Sequence, residues 1–261
     1  MANDNLHIVD PTAAHTHTVI FLHDCGSDHK EFADQLLGCV GSEPMDQPRT
    51  LQDLFPSIRW VFPNAPILPS SRLGTHISQW CDMWSMENPT ERPELQTPGL
   101  QLAICRMLGL LEEEERMVPR ERIFIAGIGQ GFAAAIATFY ADARGDFAGL
   151  IGLGGWLPAA LCCDEYRRVA GTGWLTEDPP PLSRRGAAPS RDTYVFLGHS
   201  MDDDVVPIAN GRELMNIAQA QRLRVEWREY EDGGHAVNEP DGVDDLARFI
   251  KARITGVLIG V

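Results

Sequence analysis

Lysine is nearly absent from this chain. Lys30 and Lys251 are the only two, and Lys plus Arg total 22 against 37 Asp plus Glu, a formal net charge of −15. A surface this acidic repels phosphate backbones and anionic headgroups at long range, which argues against nucleic acid and polybasic membrane docking as partners. No run reaches 18 consecutive apolar residues, and the first 18 residues carry neither a basic start nor an apolar stretch. Stable membrane insertion and a secretory signal are therefore not expected. The six cysteines, Cys25, Cys39, Cys81, Cys105, Cys162 and Cys163, include no Cys-x-x-Cys pair, and the adjacent Cys162 and Cys163 are awkwardly placed for mutual bridging. No Cys/His quartet has finger-like spacing, so metal is not expected; reduced, mostly buried thiols in a cytoplasmic protein are. What is present is ordinary: 261 residues, 44% hydrophobic and 23% charged. That suffices for a proper core and excludes a disordered tail, a collagen-like fibre and a stapled scaffold.

Apolar, β-rich runs alternate with helical patterns along the whole chain. Strands are predicted at 18–22, 59–62, 122–126, 150–153, 193–197 and 224–230, and helices at 30–39, 98–118, 130–143, 208–221 and 241–252. Thr97-Pro98 reads as an N-cap followed by proline at the first helical position. Such alternation predicts an α/β fold, a mostly parallel central sheet with helices on both faces. Residues 1–16 read as an N-terminal extension, and 66–98 and 165–191 as long loops within one domain spanning 1–261. Loops of that length in a compact domain often shape a binding site. The run Glu112–Glu115 reads as a solvated helix face.

The chemistry concentrates at Gly127-Ile128-Gly129-Gln130-Gly131-Phe132, where a buried strand turns sharply into a helix rich in small residues. This is the context of a G-x-S-x-G nucleophile elbow, with Gly129 at the nucleophile position. A dinucleotide-binding G-x-G-x-x-G fits poorly, because the sixth position is Phe132 and no suitably spaced acidic residue ends a following strand.

Other parts of a hydrolase site follow in order: His199-Ser200-Met201-Asp202-Asp203-Asp204 after one strand, Gly233-Gly234-His235 after the last. Nucleophile, acid, histidine is the α/β-hydrolase chain order, in which the carboxylate orients an imidazole that moves the nucleophile's proton. Taken singly, the aspartates could be a polar loop or helix cap, and His235 a loop histidine; together, at strand ends, they read as catalytic. Upstream, Phe21-Leu22-His23-Asp24-Cys25-Gly26-Ser27 runs from a strand into a turn-prone loop. In such folds one oxyanion-hole N–H comes from this loop and another from the residue after the nucleophile. That nominates the amides of Cys25 and Gln130. His15, His17, His23 and Asp24 do not make a metal cluster, since the first two precede the strand that His23 ends. Cys25 is the one candidate thiol nucleophile near the site.

These pieces, with Val61-Phe62-Pro63-Asn64-Ala65-Pro66, Trp80-Cys81-Asp82, Gly155-Trp156-Leu157-Pro158 and Val206-Pro207, resemble the phospholipase/carboxylesterase group of α/β-hydrolases. The group includes the acyl-protein thioesterases, and the chain looks closest to fungal members. The likeness spans roughly 18–250. It implies an α/β-hydrolase fold that cleaves carboxyl esters or acyl thioesters without a cofactor, a triad mapped onto Gly129, Asp203 and His235, and a pocket at the C-terminal ends of the strands. Asp203 is chosen over its neighbours because it lies four residues before Pro207, as the acid of the resembled group does. His23, Asp24, Trp80, Trp84, Trp156 and Leu157 would line that pocket around a small acyl or carbonyl ligand; a homodimer is left open. The group's serine is replaced by Gly129, so ester hydrolysis should be impaired. Two further readings stand beside that one. His235 and Asp203 could serve acid–base chemistry on an apolar carbonyl compound, or the pocket could only bind.

Overall fold

The computed structural model describes residues 5–47, 49–142, 144–158 and 193–256. Its centre is a seven-stranded sheet. In chain order the strands are β1 (Leu6–Val9), β2 (His17–Leu22), β3 (Ile58–Pro63), β6 (Ile123–Ile128), β7 (Gly149–Leu153), β8 (Tyr194–Ser200) and β9 (Arg224–Tyr230), arranged β1-β3-β2-β6-β7-β8-β9. Every neighbouring pair is parallel except β1 against β3. Strands β2, β6 and β7 are buried along their whole length, which is why they read as unbroken apolar runs.

Side chains alternate between the two faces of this sheet. Ile20, Leu22, Ile123 and Ile125 meet helices α3 (Gln96–Glu114) and α4 (Gln130–Asp142), with Leu214 and Ala218 of α5 (Ile208–Ala220) in the same cluster. Val19, Phe21, Phe124 and Ala126 meet α1 (His29–Gly38), Leu51 of the short α2 (Leu51–Leu54), and α6 (Asp241–Thr255) through Val243, Leu246, Phe249 and Ile250. The expected mostly parallel sheet with helices on both faces is therefore present.

Four details differ from the sequence reading. The run Glu112–Glu115 is not all solvated face: Glu114 is buried, accepting from the Thr18 hydroxyl at 3.1 Å and facing Arg59 Nε at 3.4 Å. Part of the supposed extension 1–16 is β1, paired with β3 from Leu6↔Pro63 to Val9↔Trp60. All four of its residues are only half-buried, so its alternation signal is weak. The stretch 66–98 is not all loop: β4 (Ile67–Ser70) and β5 (Thr75–Ser78) pair as an antiparallel hairpin. Thr97 is not a cap, because α3 starts at Gln96 directly from a 3-10 turn over Pro93–Leu95. Pro98 is tolerated in that first turn, where its missing N–H would have had no intrahelical partner. Residues 165–191, Cys162 and Cys163 lie outside the described residues.

After β2 the chain steps to β3 on one side of the sheet, and later to β6 on the other. That switch in direction falls between β2 and β6, and in open α/β sheets the carboxyl ends of strands at such a point are where ligands bind. His23 and Asp24 follow β2; Gly129 follows β6.

Candidate active site

The turn from β6 into α4 is built from close backbone contacts. A Cβ on Gly127 would stand 2.4 Å from the carbonyl carbon of Gly131, and one on Gly131 would stand 2.3 Å from the Leu22 carbonyl oxygen. Helix α4 can thus lie directly on β6 and β2. Gly129 sits at the apex with φ +53° and donates its N–H to Leu153 O at 2.9 Å. A Cβ there would lie 2.2 Å from Asp24 Oδ1, 2.5 Å from Asp24 Cγ and 2.8 Å from His235 Nε2. The space that an elbow side chain would need is filled by the Asp24 carboxylate.

Three predicted site residues meet at this point. His235 Nδ1 lies 2.8 Å from Asp203 Oδ2, and His235 Nε2 lies 3.2 Å from Asp24 Oδ2. Asp24 Oδ1 accepts the backbone N–H of Gln130 at 2.6 Å. The imidazole is therefore held between two carboxylates. Burial alone would lower the His235 pKa, but hydrogen bonds and charge from Asp203 and Asp24 override it and raise it to about 9, an imidazolium at neutral pH. Burial would raise the Asp203 pKa, yet hydrogen bonds from His199, His235 and the Val206 N–H hold it well below the usual carboxylate range.

Asp203 is fixed on several sides. Its Oδ1 accepts from Val205 N and Val206 N at 3.0 and 2.8 Å, while Oδ2 faces His199 Nε2 at 3.3 Å as well as His235. His199 also reaches Val206 O at 2.8 Å. Its neighbour Asp202 is exposed and accepts Gly234 N–H at 2.8 Å, steadying the turn before His235.

Several pocket candidates turn out to be scaffolding. His23 is fully buried; its Nε2 accepts from Ala65 N at 3.0 Å and its Nδ1 meets Asp24 O at 2.7 Å. That pattern places the proton on Nδ1, and burial lowers the pKa of the ring. Trp80 is buried and donates Nε1–H to His23 O at 2.8 Å. The Gln130 side chain, which the sequence did not single out, takes Trp80 N–H at 2.6 Å and gives its amide to Cys81 O at 2.9 Å. It ties the turn after β6 to the 80–81 segment. Trp156 packs with Met83, Ala133 and Val206, and Leu157 belongs to the main core. Trp84 is half-buried under the Arg92 guanidinium, 4.9 Å from the ring centre. Cys25 follows Asp24, and burial, with Asp24 and Asp82 adding, pushes its thiol up to about 12. Its thiolate is scarce at neutral pH.

His15 and His17 are engaged elsewhere, by Thr18 and Thr16 hydroxyls. Among the described residues no group of three or more His, Cys, Asp or Glu is arranged to hold a metal ion. None of the described helices is long and apolar enough to cross a membrane.

The sheet order, the glycine elbow and a histidine held by a strand-end aspartate define an α/β-hydrolase. The chain belongs to the phospholipase/carboxylesterase family, whose pattern matches residues 3–254. Acyl-protein thioesterase 1 of Yarrowia lipolytica is 26% identical, the match covering 93% of this chain and 94% of that protein. Acyl-protein thioesterase 1 homolog 1 of Dictyostelium discoideum is 30% identical, over 94% of each. Among solved structures, Arabidopsis thaliana SOBER1 superposes with a TM-score of 0.69 at 18% identity, over 92% of this chain and 99% of that one. Zea mays acyl-protein thioesterase 2 gives 0.66 at 22%, over 95% and 98%.

Proposed function

We propose that this chain is a serine-independent enzyme of its family, one domain in which Asp24, His235 and Asp203 form the reacting relay over a small uncharged ligand. The supporting observation is that the Asp24 carboxylate fills the side-chain space at Gly129 while touching both His235 Nε2 and Gln130 N–H. An acyl-serine intermediate has no hydroxyl to form on at position 129. The Gln130 amide that would steady a substrate oxyanion is already engaged by Asp24. Loss of a serine nucleophile in a triad costs on the order of 10⁶ in turnover. Hydrolysis of ordinary acyl esters is accordingly weak.

The His235 imidazolium favours acid–base work. It offers a proton at Nε2 beside a carboxylate that can receive one, held in place by Asp203. The test is labelling with a fluorophosphonate and turnover of p-nitrophenyl acyl esters by the native chain, by Gly129→Ser and by Gly129→Ser with Asp24→Ala. The native chain stays unlabelled and nearly inert, the single variant stays poor because Asp24 crowds the new hydroxyl, and the double variant labels. Rapid labelling of the native chain would show that a serine elsewhere carries the reaction and would sink the proposal.

A further inference from the structure

The two oxygens of Asp24 are placed differently. Oδ1 is bound by Gln130 N–H at 2.6 Å, whereas Oδ2 faces His235 Nε2 at 3.2 Å. The Asp24 side chain keeps 17% of its surface exposed, against 1% for Asp203, so Asp24 is the carboxylate that a ligand can reach. With the Gln130 amide taken, a carbonyl substrate loses that donor for its own oxygen. A saturated carbon electrophile needs no such donor, because its charge develops on the leaving group. Gln130 N–H would instead serve a tetrahedral centre formed at Asp24 Cγ itself.

We propose that Asp24 is a covalent nucleophile that opens uncharged epoxides to 1,2-diols through an aspartyl ester. This deepens the preceding reading, since it rests on Asp24 having taken over from an elbow side chain. In the first step an Oδ2 lone pair forms a bond to a ring carbon. The ring C–O bond breaks towards oxygen, and that oxygen takes the proton from His235 Nε2. Esterification removes one of the two negative charges that hold His235 protonated, so the neutral imidazole is now a base. In the second step water attacks Asp24 Cγ and gives a proton to Nε2. The negative charge gathers on Oδ1 against Gln130 N–H. Collapse expels the diol oxygen, which takes the proton from Nε2, and the carboxylic acid left on Asp24 returns its own proton to His235. Epoxide plus water gives diol, with nothing else consumed. Epoxides are favoured over charged alkyl donors such as phosphate or sulfate esters because the chain carries a net −15. Their leaving oxygen also needs the proton that His235 holds.

The experiment uses the full chain in excess over styrene oxide, and separately over 1,2-epoxyoctane, for a single turnover in ¹⁸O-water. The expected result is ¹⁸O in the peptide bearing Asp24 and none in the first-turnover diol, since the diol takes its new oxygen from Asp24. His235→Gln, which lacks the proton the leaving oxygen takes, is expected to lose adduct and diol together. Asp24→Asn, nearly isosteric, should lose adduct and diol by at least about 10³-fold. Diol carrying ¹⁸O with Asp24 unlabelled would mean direct attack by water and overturns the nucleophile. No diol and no adduct from either probe overturns the epoxide assignment. If the native chain still resists fluorophosphonate in that case, the serine-independent reading survives; if it labels, both fall.

Discussion

Placing serine at position 129 tests whether Asp24 and the elbow compete for one volume. The cost of Gly129→Ser has two parts. At φ +53° a serine carries about 1–2 kcal/mol of left-handed backbone strain. Its Cβ would stand 2.2 Å from Asp24 Oδ1, so the carboxylate must leave the Gln130 N–H. Losing a hydrogen bond to a charged group costs about 1.5–3 kcal/mol. Together these make about 2.5–5 kcal/mol, or a Tm lower by roughly 5–20 °C for a chain this size. In an Asp24→Ala background the second part is already gone, and the same substitution costs only the strain. His235 Nε2, 2.8 Å from the new Cβ, must yield slightly in both backgrounds and largely cancels. Urea unfolding of the four proteins should therefore give a coupling energy of about 1.5–3 kcal/mol. Additive costs, within about 0.5 kcal/mol, would refute the claim that the two side chains exclude each other.

Other outcomes follow from the same geometry. The His235 pKa of about 9 when folded lies above its ordinary value of 6.5, so folding takes up a proton between those limits. The resulting stabilisation, on the order of 3 kcal/mol, is whole below pH 6.5, fades across the window and is gone above about 9. Urea midpoints measured from pH 6 to 10 should show that decline, and His235→Gln should flatten it. Gln130→Ala strands the Trp80 N–H and Cys81 carbonyl in the interior, a loss of about 2–4 kcal/mol readable by thermal melting. With the Cys25 thiol pushed up to about 12 and Cys105 exposed, iodoacetamide at pH 8 should modify Cys105 first. Cys25→Ala should leave turnover intact.

The central parallel strands were legible because complete burial writes itself as continuous apolar sequence, with their ends within a few positions; the half-buried 224–230, where Val225 and Trp227 alternate with polar residues, was placed to the residue. The short outlying elements were not. β1 is only four residues long and half-buried, and β4 and β5 are short and largely exposed, so none stands out from loop. The start of α3 was misread because Thr97-Pro98 makes a plausible cap, while the true first turn is set by Pro93. At the site, Gly129, the run Asp202–Asp204 and His235 stood out at strand ends, the resemblance picked Asp203 from that run, and the structure brings Asp203 and His235 into contact. Asp24 was legible as a pocket residue, but not as the carboxylate facing His235. Its reach across 106 positions to Gln130 and 211 to His235 depends on the adjacency of β2 and β6, which no local pattern encodes. Trp80 and His23 looked like lining for a similar reason. Their polar atoms are consumed by backbone partners that only the folded chain supplies.

The central claim is that Asp24 and Asp203 together hold His235 as an imidazolium in the space an elbow side chain would otherwise occupy. ¹⁵N resonances of the His235 ring, followed against pH in the native chain and in Asp24→Asn, test it most directly. The account predicts a midpoint near 9 in the native chain and a clear fall once the Asp24 charge is removed. A native midpoint near the ordinary 6.5, unmoved by Asp24→Asn, would contradict it.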